Sequence, residues 1–523
     1  MNITSFVFVI FCAASILVYW RLPQRYRIPW LFAVSLVFII SWSWELAGIL
    51  LVVATVNFLL GRWLGISRPA IPKPEVGAAM APDPIPGESL GTAKDRRRAL
   101  LWIGIGFNVL ALVALKYSDF YVGALTNLLG KLGVHSGAGG LFLLVPIGLS
   151  FIAVQMISYL VDIHNRMLMP EAHWLDFALY VVYFPKMLSG PVERARTILP
   201  MFKQPKAPDA QAAERNFWLI VVGVIRKIVL ADSLSSIIPA AIFLHPETFA
   251  GQDLVVYLLA YAFVIYNDFA GYTSIVRGVS GFFGIELTNN FKLPYFSRSI
   301  SEFWERWHVS LSNWLRDYIF FPTSRALLKR KTRQAQVANL VVPPMLTMLV
   351  SGMWHGIGWN FLFWGGLHGF YLIVERLSTW WSPRRVLNEL PKWRQVLSAL
   401  GVFVLVVLAW IPFRMNLVTG WHYLSRMPTA FIWIKQLFWF IRQKLAGTVA
   451  WNNWYGVSFL DIRVFFLLIP ALLLDWKQSQ HKDETFFTQW PVWGKALFLA
   501  VLTLVLVLLS FAETGTPFVY QGF

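Results

Sequence analysis

Histidine is the residue type in this chain whose setting best suits acid–base chemistry. A neutral imidazole, with a pKa of about 6.5 in water, can take a proton from a hydroxyl group and return it later. His355 lies in the sequence Trp354-His355-Gly356, where glycines mark a short break between two apolar runs. Pro343 and Pro344 are expected to break or kink the first of these runs. A polar group within the membrane costs free energy unless it is paired. We therefore predict a functional role for His355, with capping or packing as the alternative.

A second histidine, His308, lies in a segment whose pattern predicts one continuous helix over 299–318. Ser299 and Glu302 have the spacing of a capping box at its start, and Glu302 and Arg306 are spaced to form an ion pair. The helical period puts His308 in the middle of this helix, on a broad aromatic face. Two interpretations stay open on these grounds: a packed, hydrogen-bonded histidine, or a catalytic one.

Other chemistries find little support in the sequence. We interpret His368, in Gly366-Leu367-His368-Gly369, as a packing residue. The histidines form no His-x-x-x-His pair and Cys12 is the only cysteine, so we expect no metal site and no intrachain disulfide. We find no phosphate-binding Gly-x-x-x-x-Gly-Lys loop and no Gly-x-Ser-x-Gly elbow, which speaks against an ATP-driven pump and a serine hydrolase.

Membrane helices are the elements that must position these residues. The chain has 523 residues, of which 57% are apolar, and its mean hydropathy is +0.57. Runs long enough to span a bilayer lie at 3–20, 28–43, 45–62, 99–116, 141–161, 252–270, 338–354, 358–375, 396–413, 459–475 and 496–512. Weaker runs lie at 174–189 and 216–232; the latter carries Arg226 and Lys227, so it lies in the interface or packs inside the bundle.

These runs predict an all-α fold, because backbone groups in a bilayer must pair within each segment. We expect a polytopic transmembrane bundle of about 11–13 spans, forming a single domain over 1–523. A re-entrant or amphipathic central region, with its catalytic core at 266–377, is expected to form a funnel. The stretch 67–90, rich in Pro, Ala and Gly, predicts a flexible cytoplasmic loop.

The formal net charge of +18 reflects basic loops rather than nucleic-acid binding. Lys and Arg cluster between apolar runs, above all over 325–333, and basic loops stay on the cytoplasmic side. This orientation puts both chain ends outside. It also puts Lys435, Arg442 and Lys444 outside, which we explain by an interfacial amphipathic helix over 430–446.

Several sequence pieces in a fixed order carry a family likeness. They are Pro146-Ile147-Gly148-Leu149-Ser150-Phe151, Tyr159-Leu160-Val161-Asp162, Tyr183-Phe184-Pro185-Lys186-Met187-Leu188-Ser189-Gly190-Pro191, Asp268-Phe269-Ala270-Gly271-Tyr272, Pro294-Tyr295-Phe296-Ser297-Arg298-Ser299, Phe303-Trp304-Glu305-Arg306-Trp307-His308, Trp314-Leu315-Arg316-Asp317-Tyr318, and Trp354-His355-Gly356 with Trp359-Asn360. Together they resemble the membrane-bound O-acyltransferase (MBOAT) family. The likeness is greatest to the bacterial branch that includes the alginate O-acetylation and teichoic-acid D-alanylation membrane proteins.

The resemblance implies direct acyl transfer, with His355 as the general base and His308 in the second signature motif. The donor would be a cytoplasmic thioester, acetyl-CoA or an acyl carrier protein, with no bound cofactor. The acceptor would be an extracytoplasmic polysaccharide or cell-wall polymer, reached with an extracytoplasmic partner protein. The chain would lie in the bacterial inner membrane. Candidates for substrate binding are Trp304, Arg306, Asn313, Arg316, Asp317, Tyr295, Asp268, Trp354 and Asn360.

The sequence departs from the family pattern at one place and leaves two other functions open. Phe321-Pro322-Thr323-Ser324 stands where the family often has a Gly-Gly turn. A secondary transporter or lipid flippase would also place polar groups inside a helical bundle. A nonenzymatic scaffold for a partner acyltransferase is the third interpretation.

Overall fold

The structure is a computed structural model that describes residues 3–66, 90–116, 148–356, 358–381, 391–446 and 461–510. Within these ranges the chain is all-helical, with one isolated β-bridge and no β-strand. Six of the described helices are long and apolar enough to cross a membrane. The predicted all-α, polytopic fold is therefore confirmed.

The α-helices are numbered here in chain order. They are α1 (Phe6–Arg21), α2 (Gln24–Ile40), α3 (Trp44–Ile66), α4 (Leu90–Lys116), α5 (Leu149–His164), α6 (Trp174–Val182), α7 (Ala195–Lys203), α8 (Ala210–Val224), α9 (Ser233–Ile237), α10 (Gly251–Phe282), α11 (Ile300–Arg306), α12 (Val309–Leu315), α13 (Phe321–Leu328), α14 (Arg333–His355), α15 (Trp359–Trp381), α16 (Lys392–Arg414), α17 (Leu417–Arg426), α18 (Ala430–Leu445), α19 (Ile462–His481) and α20 (Val492–Ser510). Two π-helical segments, 225–232 and 316–320, continue α8 and α12.

Each of the eleven stronger apolar runs coincides with a helix over its described part. The weaker run 174–189 is shorter than a span, because α6 ends at Val182 and a buried 3₁₀ turn follows it. The predicted interfacial helix at 430–446 corresponds to α18, whose large apolar side chains are mostly exposed. The predicted loop 67–90 lies outside the described residues, apart from its last residue.

The chain divides into two compact units. Unit 1 comprises 1–213 and 279–288, and unit 2 comprises 214–278 and 289–523. In unit 1, a buried amide pair joins α3 and α4, with Asn57 and Asn108 donating to each other at 3.0 and 2.8 Å. The side chain of Lys203 donates to Glu171 at 2.8 Å. All the predicted site residues belong to unit 2.

Glycines allow α14 and α15 of unit 2 to pack with their backbones in close approach. A Cβ atom at Gly352 would lie 2.3 Å from the carbonyl oxygen of Phe361, and one at Gly365 would lie 2.3 Å from that of Met348. Only a residue without a side chain fits such an approach. These two helices carry His355 and His368, so the glycines fix how the two histidine-bearing surfaces meet.

Of the predicted break or kink at the proline pair, a break is excluded, because α14 runs through Pro343 and Pro344 uninterrupted. Pro343 has no N–H to donate to the carbonyl of Asn339, four residues earlier. The guanidinium of Arg376 on α15 donates to that carbonyl instead, at 3.2 Å. A side chain from the neighbouring helix thus satisfies the acceptor that the proline leaves open.

The predicted single helix over 299–318 is also wrong, because it breaks at Trp307 and His308. Its start is as expected: Ser299 accepts from the N–H of Glu302 at 3.0 Å, and Arg306 pairs with Glu302 at 2.5 Å. The chain then leaves the helix to pair with 290–292, forming the β-bridge between Phe291 and Trp307. These hydrogen bonds replace helical ones, and α12 restarts after the break.

Candidate active site

His355 is the last residue of α14, where Gly356 continues in an extended conformation with φ −175°. The predicted break after this histidine is therefore present. Its imidazole is 5% exposed and contacts Trp354, Trp364 and Phe413, with ring centroids 4.9, 5.2 and 5.1 Å away. The base candidate thus lies in an aromatic enclosure, where electrostatic interactions are stronger than in water.

His308 occupies the break between α11 and α12 in the left-handed conformation, with φ 44° and ψ 51°. The positive φ is uncommon for a residue with a side chain and requires support from its neighbours. Hydrogen bonds from Val309 N to Asn290 O at 3.0 Å and from Ser310 N to Asn290 Oδ1 at 3.1 Å supply that support. Burial lowers the pKa of His308 to about 3, so the imidazole is neutral.

The three histidines of this region are joined by a continuous series of ring contacts. The ring of His308 lies 6.0 Å from that of Trp354, which contacts His355. On the other side of His355, the ring of Trp364 lies 4.9 Å from that of His368. His368 is therefore part of the same cluster, which its sequence motif alone did not indicate.

A polar cavity of about 830 Å³ lies in unit 2, and Val309, next to His308 in the chain, is on its lining. Its basic lining residues are Arg226, Lys292, Arg306, Arg316 and Lys482, and its acidic ones are Glu305, Asp483 and Glu484. The three arginines are paired with carboxylates outside the lining, so Lys292 and Lys482 are the cations that suit the cavity to an anionic ligand. Its volume falls within the range of about 300–1,000 Å³ that is common for small-molecule sites.

A smaller cavity of about 270 Å³ adjoins the polar one, and most of its lining surface is apolar. Glu305, Asn313 and Arg316 line both cavities and so form their common wall. Trp304 lines the apolar cavity, and its ring lies 5.1 Å from that of His368. Neither cavity is lined by His355 or His308; Trp304, on the lining of the apolar cavity, contacts Trp364, which in turn contacts His355.

Of the predicted substrate-binding residues, Trp304, Arg306, Asn313 and Arg316 line a cavity, and Trp354 contacts both catalytic candidates. The other four make internal contacts. They are Asp268, paired with Lys227 at 2.7 Å; Tyr295, donating to Ala262 O at 2.6 Å; Asp317, paired with Arg316 at 3.2 Å; and Asn360, donating to Pro412 O at 3.1 Å. Asp317 does not line either cavity, but its partner Arg316 lines both.

Arg226 is a cavity residue that the motifs did not indicate. It lies on the first π-helical segment and is 3% exposed. Its guanidinium donates to Asn267 at 2.7 Å and to Gln478 at 2.8 Å, and it forms an ion pair with Asp475. Of the two sequence interpretations for this charged run, packing inside the bundle is therefore the correct one. The sequence feature that could have indicated Arg226 was a charged residue within an apolar run.

Among the described residues, no group of three or more His, Cys, Asp or Glu side chains is arranged to hold a metal ion. The site brings together imidazole, indole and guanidinium groups. A buried imidazole is suited to proton transfer to and from a bound substrate.

Comparison with known proteins gives one family and several relatives. The profile of MBOAT, described as the membrane-bound O-acyltransferase family, matches residues 97–419. A probable alginate O-acetylase of Azotobacter vinelandii is 32% identical over 410 residues, covering 78% of this chain and 74% of that protein. A peptidoglycan O-acetyltransferase of Helicobacter pylori is 30% identical over 344 residues, covering 61% and 62%. A teichoic acid D-alanyltransferase of Streptococcus thermophilus is 27% identical over 283 residues, covering 51% and 68%.

Proposed function

The chain belongs to the membrane-bound O-acyltransferase family and is a multi-pass membrane O-acyltransferase, and we propose its donor, base and direction of transfer. The donor is a cytoplasmic acetyl thioester, on coenzyme A or a carrier protein. The acceptor is a hydroxyl group of an extracytoplasmic polysaccharide or cell-wall polymer, presented with an extracytoplasmic partner protein. His355 is the general base, and the membrane is the bacterial inner membrane.

The observation that carries this proposal is the setting of His355. It is a buried imidazole at the glycine-marked end of α14, and aromatic contacts connect it to Trp304 on the wall of the apolar cavity. A base held in a dry, rigid enclosure needs little reorganisation when charge develops. A positioned general base contributes roughly 10²–10⁴-fold to the rate of such a reaction.

The polar cavity supports an anionic thioester as donor. Coenzyme A and the phosphopantetheine arm of a carrier protein both carry phosphate groups, which Arg and Lys side chains bind. Lys292 and Lys482 are exposed on the cavity lining and form no ion pair with the described residues. Their charges remain available for a ligand, unlike that of Arg226.

The reaction then follows from the groups available. The imidazole of His355 takes the proton of the acceptor hydroxyl, and the oxygen attacks the thioester carbonyl carbon. The carbon–sulfur bond of the resulting tetrahedral intermediate breaks, and the thiolate leaves with the proton that His355 returns. One ester and one thiol are formed from one thioester and one alcohol, and the enzyme is unchanged.

The names of the relatives support a polymer acceptor, but each names a different polymer. They name alginate, peptidoglycan and teichoic acid, and two of the three quoted above name acetyl transfer or acetylation. All three are polymers with hydroxyl groups outside the cytoplasmic membrane. We therefore keep the acceptor as a class and take acetyl as the transferred group.

Purified protein in detergent, given radiolabelled acetyl-CoA or acetylated carrier protein and a hydroxylated oligosaccharide, tests this proposal. We expect labelled ester to form with one of the two donors. Lys292→Gln and Lys482→Gln should each raise the donor KM about two- to fivefold with a smaller change in kcat, as expected for loss of ground-state binding by an exposed charge. Lys477→Gln is the matched control, since Lys477 is an exposed lysine of α19 outside the cavity lining. Failure of the wild type to form ester with either donor would contradict the proposal.

A further inference from the structure

Three buried nitrogen atoms beside His355 have no hydrogen-bond partner among the described residues. They are Nε1 of Trp304, Nε1 of Trp364 and Nδ1 of His368. A buried polar group without a partner is destabilising, and most buried polar groups in proteins have one. Three of them in one place indicate a site for an acceptor atom that the chain itself does not supply.

The three rings form a compact triangle. The centroid of the Trp304 ring lies 5.1 Å from that of His368 and 5.9 Å from that of Trp364, and the last two are 4.9 Å apart. Trp364 and His368 are one helical turn apart on α15, and both are 1% exposed. The three unpartnered nitrogens therefore belong to rings that adjoin one another.

The triangle also lies at the right distance from the base. The ring of Trp364 is 5.2 Å from that of His355, and Trp304 lines the apolar cavity. In acyl transfer, the attacked carbonyl oxygen lies one bond from the carbon that the deprotonated hydroxyl attacks. Donors for that oxygen must therefore lie beside the base, about 3 Å from the developing oxyanion.

We propose that the indole N–H groups of Trp304 and Trp364, with His368 Nδ1–H, bind the carbonyl oxygen of the acyl thioester and stabilise the oxyanion. This inference rests on the proposed function. When the acceptor oxygen forms its bond to the carbonyl carbon, the π electron pair moves onto the carbonyl oxygen. The negative charge is held by the N–H donors until the pair returns and the carbon–sulfur bond breaks. His368 donates in the tautomer protonated at Nδ1.

Trp304→Phe and Trp364→Phe test this inference, since each keeps an aromatic ring and removes only the N–H group and part of the ring. We expect each to lower kcat on the order of 10²-fold, the typical cost of one oxyanion donor, with little change in the donor KM. Trp42→Phe is the matched control: its Nε1 is also buried without a partner among the described residues, but Trp42 belongs to unit 1. The Trp42→Phe variant should transfer the acyl group at the wild-type rate.

His368 offers a second comparison. Asn keeps an N–H donor near the position of Nδ1, whereas Leu does not. His368→Asn should therefore retain more kcat than His368→Leu when both have wild-type thermal stability. If Trp364→Phe does not accumulate, Trp304→Phe alone tests the inference. Trp304 is only half-buried, so this replacement should disturb the fold less.

The outcomes separate this inference from the proposed function. An inactive wild type would refute the proposed function itself. An active wild type whose Trp→Phe variants keep kcat within about threefold would refute the oxyanion site alone. A loss of thermal stability without loss of kcat would also refute it, because the N–H groups would then hold only a buried water.

Discussion

The two histidines that the motifs indicate differ in backbone setting, and this suits them to different tasks. His355 ends a helix beside a glycine in extended conformation, at the meeting of α14, α15 and α16. His308 is held by Asn290 in a left-handed conformation between two short helices. A base must reach a substrate proton, whereas a rigid, neutral imidazole can orient the groups around it. We therefore assign proton transfer to His355 and a supporting role to His308.

The depressed pKa of His308 predicts how stability depends on pH. Burial lowers this pKa to about 3, while an unfolded histidine has a pKa near 6.5. Between these values the unfolded chain takes up a proton that the folded chain does not. Stability should therefore be constant above about pH 6.5 and fall below it by up to about 1.4 kcal/mol per pH unit from this residue.

The apparent thermal midpoint in detergent, measured at several pH values between 7.5 and 5, checks this prediction. His308→Gln should flatten the decline on the acidic side. His422→Gln, at an exposed histidine of α17, is the control. Equal slopes for wild type and His308→Gln would show that His308 is not the residue responsible.

The sequence motifs identified some of the individual site residues. Trp304, Arg306, Asn313 and Arg316 all lie in one motif region, and all line a cavity. Trp364 was not identified, because an aromatic residue in an apolar helix is ordinary until its neighbours are known. Lys292 and Lys482 were not identified either, since exposed lysines in loops carry no local signal of a shared cavity.

At the scale of elements, the close packing of α14 and α15 determines where His355 and His368 meet. We expect Gly365→Ala to force the helices apart, because its Cβ would lie 2.3 Å from the Met348 carbonyl oxygen. Overpacking of this kind costs typically about 1–3 kcal/mol, so both thermal stability and transfer should fall. Gly366→Ala is the matched control, since its nearest neighbour would be a Leu349 methyl at 3.8 Å. Equal behaviour of the two variants would contradict the role of this packing.

The exposed basic run between α13 and α14 gives a second prediction at this scale. Neutralising Lys329, Arg330 and Lys331 to Gln should raise the donor KM with a smaller change in kcat, if the run helps an anionic donor or acidic carrier to dock. The matched control neutralises Arg21, Arg25 and Arg98, which are exposed in unit 1. Altered membrane insertion with unchanged kinetics in the inserted fraction would mean that the run only sets topology.

Helices were the most predictable elements and the breaks within them the least. Long apolar runs predict helices because a bilayer leaves the backbone no other partner. The break at His308 could not be predicted, because it depends on hydrogen bonds with 290–292 that local periodicity does not reveal. The continuity of α14 through two prolines likewise depends on Arg376, which lies on another helix.

For the whole molecule, the distribution of basic residues predicts that both chain ends are outside and that the run 325–333 is cytoplasmic. Single cysteines introduced after Cys12→Ala, with labelling by an impermeant maleimide in intact cells, check this. Arg330→Cys should stay unlabelled until the cells are opened, and Ser425→Cys, exposed on α17, should be labelled from outside. Labelling of Arg330→Cys in intact cells would overturn the orientation, and with it the cytoplasmic donor.

Acyl transfer with His355 as the base is our central claim, and single-turnover ester formation by His355→Ala tests it most directly. The purified variant and wild type should be compared in detergent at matched thermal midpoints, with His422→Ala, an exposed histidine of α17, as control. We predict that His355→Ala lowers the rate of ester formation by at least about 10²-fold and leaves donor binding unchanged, while His422→Ala behaves as wild type. Ester formation by stable His355→Ala at a near wild-type rate would contradict the claim.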